Sequence, residues 1–274
     1  MTQRERRYFG PLICLVALGI LLFGYLLTEG RGMNFATHGV PQIENNEEFC
    51  TDFLICLDPG HGGADPGAVE TAEDGKVVRE KDFALALAHR IGAQLEEMGY
   101  RVCYTREGDA RMSKGNARDE LHARLAFCNA HEVDLLISLH ANAYRGEGRA
   151  YGARVYYHPE TDGACAAANL FAESISQHTG AMIGRSARTE ADATYAILSD
   201  TSFPSLLLEV GFFTDPFEFA VMQTEKWQTA MTEALATATD RYFKEKNRAA
   251  DVCGSVLLFG QMENSPQKRN KNAR

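Results

Sequence analysis

FLICLDPGHGG, residues 53–63, decides the fold: an apolar, strand-like run ends abruptly in a Pro-Gly turn, a histidine (His61) and two glycines. DLLISLHAN, residues 134–142, repeats the design and delivers His140 at the end of its run. SLLLEVG, residues 205–211, delivers Glu209 in the same way. In an open α/β sheet the carboxyl ends of parallel strands converge on one crevice, and ligands bind there. Two histidines and a carboxylate are therefore expected to meet, a metal-site inventory that points to zinc hydrolase chemistry.

From residue 53 onward, strand patterns alternate with helix patterns. This predicts an α/β fold, a mostly parallel twisted sheet of about six strands with helices on both faces. The clearest helix covers residues 80–98, with Phe83, Leu87, Ile91, Leu95 and Met98 at helical spacing and Gly99 closing it. Further strands are expected at residues 101–105, 134–139, 153–157, 195–198 and 205–210, and helices at 117–131, 163–179 and 227–244.

With 274 residues and 45% hydrophobic content, the chain has enough material for one sizeable core. The formal net charge is -9, and the positives gather at the ends: Arg4, Arg6 and Arg7 at the start, Lys268, Arg269, Lys271 and Arg274 at the finish. An acidic body of this kind argues against a nucleic-acid partner. Seven cysteines occur without a C-x-x-C pair. Cys56 and Cys103 sit inside apolar runs and read as small buried hydrophobes, with a Cys50–Cys56 disulfide as the alternative. No cysteine is placed like an activated nucleophile, beside a basic group or at a helix start.

The three early arginines precede an uncharged, mostly apolar run at residues 8–27, close to the roughly 20 residues that span a bilayer. Basic residues before it and Glu29 after it predict a cytoplasmic N-terminus and an exported catalytic domain. The run is longer than the core of a cleavable signal, and no small-x-small site follows it. Residues 1–30 are therefore expected to be a single-pass membrane anchor, secretion after cleavage being the alternative. Residues 31–51 read as a linker, 52–246 as the catalytic domain and 247–274 as a polar, basic tail.

Spacing alone leaves the third metal ligand open among Asp58, Asp65, Glu70, Glu73, Asp74 and Glu80. Glu80 has the best structural argument, because it opens a long helix near the positive end of the dipole. Glu209 follows Leu206, Leu207 and Leu208, so its carboxylate reaches the edge of a dry interior. An arginine partner would neutralise it there; without one, desolvation would raise its pKa toward the value that suits a general base. Asp200 and Asp215 are rivals with less apolar surroundings. The chain has no H-E-x-x-H, G-x-S-x-G or phosphate-cradling G-x-x-x-x-G-K motif.

LDPGHGG (residues 57–63), EKD (80–82), TREGD (105–109), LHARLAFCN (121–129), SLHAN (138–142) and LLEVGFFTDP (207–216) occur in order. Together they resemble the zinc-dependent N-acetylmuramoyl-L-alanine amidases of bacterial cell-wall lysis and sporulation, over residues 53–243. The resemblance implies Zn2+ held by His61, Glu80 and His140, with Glu209 as the catalytic glutamate. It implies cleavage of the amide between the lactyl group of N-acetylmuramic acid and L-alanine of the stem peptide, in peptidoglycan. Only residues 144–151 separate the SLHAN strand from the next, too few for the blocking helix of some relatives. Appended wall-binding repeats are also missing, so the anchor is expected to do the targeting, as in small spore-cortex amidases. A monomer is the default expectation, and an activator protein remains open. The competing readings are a zinc exopeptidase and a non-catalytic peptidoglycan-binding module.

Overall fold

The computed structural model describes residues 52–147, 150–199 and 201–263, with side chains through residue 248. Its centre is a six-stranded sheet in the order β4-β1-β5-β8-β6-β7. The strands are β1 (Leu54–Pro59), β4 (Arg101–Tyr104), β5 (Leu135–Asn142), β6 (Arg154–Tyr157), β7 (Arg188–Ala191) and β8 (Ser205–Phe212). A separate hairpin pairs β2 (Val69–Thr71) with β3 (Val77–Arg79). Every pairing in the main sheet is parallel except β6 with β8.

The central strands are apolar without alternation because helices cover both faces. On one side lie α1 (Glu80–Glu97), α3 (Ala164–Ile183) and the long α6 (Glu225–Glu263), which bring Leu87, Ile91, Phe171 and Trp227 onto Leu57, Ile137 and Leu208. On the other lie α2 (Ala117–Ala130) and the single turn α4 (Ala196–Ser199), with Leu125, Cys128, Ile197 and Leu198 against Cys56 and Leu136. Each wholly buried large side chain contributes about 1.5–3 kcal/mol. The helix ends follow local chemistry: Asn116 and Asp119 form a reciprocal capping box at the start of α2, and Asp215 caps the short α5 (Pro216–Met222) with proline in its first turn.

Three readings need correction. Residues 195–198 form no strand; Ala196–Ser199 is helical, and the sixth strand is Arg188–Ala191. RTEA is a polar edge strand that pairs with β6 alone among the described strands, so it carries none of the apolar signal that marks a buried strand. The closing helix does not stop near residue 244, since the backbone remains helical to Glu263. Cys56 is a free thiol, fully buried with its sulfur 3.4 Å from that of Cys128, so the Cys50–Cys56 disulfide is not formed. No helix among the described residues is long and apolar enough to cross a membrane. The apolar run at residues 8–27 lies outside them.

The chain leaves β1 for β4 on one side and then returns to β5 on the other. This reversal of strand order opens the crevice at the carboxyl ends of β1 and β5, where His61 and His140 stand.

Candidate active site

His61 follows β1 directly. Gly60 N–H donates to the Leu139 carbonyl at 2.9 Å, tying the turn to β5 next to His140. A Cβ at Gly60 would stand 2.2 Å from the His140 ring, so only glycine lets the two strand ends approach this closely. His61 itself has φ 61°, a left-handed conformation that costs about 1–3 kcal/mol when imposed on a residue with a side chain. The twist aims the ring inward. Its Nδ1 bonds Asp65 Oδ2 at 2.9 Å, and its Nε2 lies 2.9 Å from Glu80 Oε1.

Glu80 opens α1 and is only 4% exposed. Its Oε1 accepts from Ala141 N–H at 2.9 Å and lies 3.0 Å from His140 Nδ1; its Oε2 accepts from Ala68 N–H at 2.8 Å. Burial alone would raise its pKa, but the hydrogen bonds and charge of His140 and His61 win and hold the carboxyl well below the usual range. Burial likewise opposes the charged form of His61, while Glu80 and Asp65 overcome it and raise that pKa.

The ligand atoms of His61, Glu80 and His140 all lie within 4.8 Å of one another, and the cluster could hold a metal ion. The closest separations are 2.9, 3.0 and 3.2 Å. Tetrahedral ligands with bonds of about 2.0–2.1 Å stand about 3.3 Å apart, so the spacing fits. Lone-pair atoms this close need a proton or a metal cation among them. Asp65, a rival ligand in sequence, instead holds the far nitrogen of His61, as outer partners of metal-binding histidines do. Glu70 pairs with Arg145 at 2.7 Å, and Glu73 and Asp74 are exposed on the hairpin.

Glu209 is the register partner of His140 across β5 and β8. Its Oε2 is buried and has no hydrogen-bond partner among the described residues. Arg154 stands opposite it across β6 and β8, but the guanidinium pairs with Glu190 instead. Burial therefore dominates and pushes the Glu209 carboxyl up to about 7, His140 opposing and Glu80 reinforcing the shift. Glu209, His61 and His140 line one cavity of about 420 Å³, whose apolar wall includes Leu121, Tyr195 and Ile197. Of the two rivals, Asp215 is occupied as the α5 cap and Asp200 lies outside the described residues.

Sequence reasoning missed the layer beneath the loop that carries His61. Asp58 is 2% exposed and accepts from Arg124 Nη1 (2.7 Å), Ser138 Oγ (2.6 Å) and Thr105 Oγ1 (2.5 Å). Burial resists its ionisation, but Arg124 and the two hydroxyls hold its pKa below the ordinary value. The available signal was a carboxylate inside a buried strand, which requires a cation nearby.

The comparisons with known proteins point the same way as the crevice. The N-acetylmuramoyl-L-alanine amidase family model matches residues 55–241. The germination-specific N-acetylmuramoyl-L-alanine amidase of Bacillus subtilis (strain 168) is 33% identical over 202 residues, spanning 70% of this chain and 81% of that protein. The crystal structure of N-acetylmuramoyl-L-alanine amidase from Clostridium difficile 630 is similar with a TM-score of 0.61 at 26% identity, covering 71% of this chain and 98% of that one. The CwlD amidase from Clostridioides difficile, in complex with the GerS lipoprotein, gives 0.61 at 25% identity, covering 70% and 99%. With the family model spanning the sheet and both histidine-bearing strand ends, this chain belongs to the N-acetylmuramoyl-L-alanine amidase family.

Proposed function

We propose that the protein is a zinc-dependent peptidoglycan hydrolase that cleaves the amide between the N-acetylmuramic acid lactyl group and L-alanine of the stem peptide. His61, Glu80 and His140 are the zinc ligands and Glu209 is the catalytic glutamate. The observation that carries this reading is the juxtaposition of a cluster of two nitrogens and a carboxylate with an unpartnered, buried carboxylate on the same cavity. Zinc, when bound, supplies Lewis acidity and lowers the pKa of water.

The chain's own residues do the rest. Asp65 keeps the Nδ1 proton on His61 and leaves Nε2 free to bind. Glu209, poised near neutrality, takes a proton from the attacking water and returns it to the departing alanine nitrogen. The apolar wall of the cavity keeps bulk water from Glu209 and preserves that pKa.

The germination-specific relative supports a role in spore cortex, and the lipoprotein complex of another relative supports an activator protein. Action lies outside the cytoplasm, with residues 8–27 as the anchor. The test is digestion of purified peptidoglycan by full-length wild-type and Glu209→Gln protein, with zinc content measured on both. New L-alanine amino termini from the wild type alone, with zinc on both, is the expected result. Release of reducing sugars without new amino termini would replace the amidase reading with a glycosidase one.

A further inference from the structure

Three successive carbonyls, those of Pro59, Gly60 and His61, face two buried arginines. Arg106, after β4, donates from Nε to Pro59 O (3.0 Å) and from Nη2 to Gly60 O (2.8 Å). Its Nη2 also reaches Lys81 O (2.8 Å), so it ties the first turn of α1, which carries Glu80, to the same loop. Arg124, on α2, donates from Nη1 to Pro59 O (2.8 Å) and from Nη2 to His61 O (2.5 Å). These arginines are 5% and 4% exposed.

Arg124 lines the cavity, which makes substrate binding the obvious alternative role. Its donors argue otherwise. A guanidinium has about five N–H groups in a fixed fork. Beyond the two carbonyls, Nη1 donates to Asp58 Oδ1 (2.7 Å), Nε donates to Glu120 Oε1 (2.9 Å), and Nη2 lies 2.9 Å from that same oxygen. All of its donors are committed to the protein, and none is left for a substrate.

We propose that Arg124 is a positioning residue: neutralised by Asp58 and Glu120, it grips the His61 carbonyl and so holds the left-handed backbone that turns His61 Nε2 toward Glu80 and His140. The inference rests on reading those three side chains as metal ligands. A lysine at 124 keeps the charge but offers a single nitrogen, which does not span Asp58, Pro59 and His61 together.

The experiment is Zn2+ affinity of the full-length protein by competition with a chromophoric chelator, with the absorption spectrum of the Co2+-substituted protein as a second readout. Arg124→Lys is expected to weaken Zn2+ binding about 10–100-fold and to alter the Co2+ spectrum while circular dichroism stays that of wild type. Leu125→Ala, which loosens the same helix through its apolar face, is expected to lower the melting temperature and keep the affinity. Wild-type affinity in Arg124→Lys, or an equal loss in Leu125→Ala, overturns the proposal. If Arg124→Lys fails to fold, Asp58→Asn decides it: weakened binding supports the grip, and unchanged binding overturns it. A wild type without Zn2+, or a His61→Ala variant that binds as tightly as wild type, overturns the ligand reading itself and this inference with it.

Discussion

Glu80 and Glu209 flank the same histidine and are both largely withdrawn from water, yet they are driven in opposite directions. Glu80 stands 3.0 Å from His140 Nδ1, and Glu209 is the register partner of His140 across the sheet. The oxygens of Glu80 accept two backbone N–H groups and face two histidines, and its pKa falls. Oε2 of Glu209 accepts from none of the described residues, and its pKa rises to about 7. Burial is common to both, so the hydrogen-bond inventory decides which carboxylate stays ionised and which is pushed toward neutrality.

Substitutions probe this contrast most strongly at Glu80. Glu80→Ala is expected to leave the purified protein with substoichiometric zinc and background activity; zinc retained at wild-type level by elemental analysis would break the assignment. Glu209→Gln is expected to keep its zinc and lose about 10²–10⁴-fold in kcat, with KM little changed. An active Gln variant would remove Glu209 from proton transfer.

The contrast also has a thermodynamic signature in chelator-treated protein. Glu209 has a folded pKa raised from 4.5 to about 7, so its favourable contribution is complete below the unfolded value and is lost as pH rises through the folded one. Glu209→Gln is therefore expected to gain stability on wild type by about 3 kcal/mol between pH 4 and pH 8, measured by urea denaturation. Glu80 has the opposite sign, its contribution being present above its unfolded pKa and lost as pH falls, so Glu80→Gln is expected to cost least at acid pH. Parallel pH profiles for the two variants would refute the contrast. The smallest effect belongs to Asn116→Ala, which removes the α2 capping box: about 1 kcal/mol lost at every pH, with the pH dependence unchanged.

The buried strands were readable because covering both faces leaves a continuous apolar run, and β1, β5 and β8 are such runs. β7 was not readable, because RTEA at the sheet edge needs no apolar residue to pair with β6. The misread residues 195–198 look strand-like, being apolar and short, but a four-residue apolar segment carries no period that separates strand from helix. That segment matters to the site, since Tyr195 and Ile197 form part of the wall beside Glu209.

By itself the sequence determined the strand ends that carry His61, His140 and Glu209, since an apolar run, a turn and a polar terminus are local properties of the chain. Spacing left the third ligand open, and only the family resemblance singled out Glu80. Tertiary structure decided which charge state each carboxylate favours. Asp58, Asp65, Glu80 and Glu209 are chemically equivalent as letters. They differ in the groups that fold around each: a guanidinium and two hydroxyls, the outer nitrogen of a histidine, two backbone amides beside two imidazoles, and for Glu209 Oε2 no donor. Those partners come from residues up to 80 positions apart, and no local pattern encodes a contact of that range.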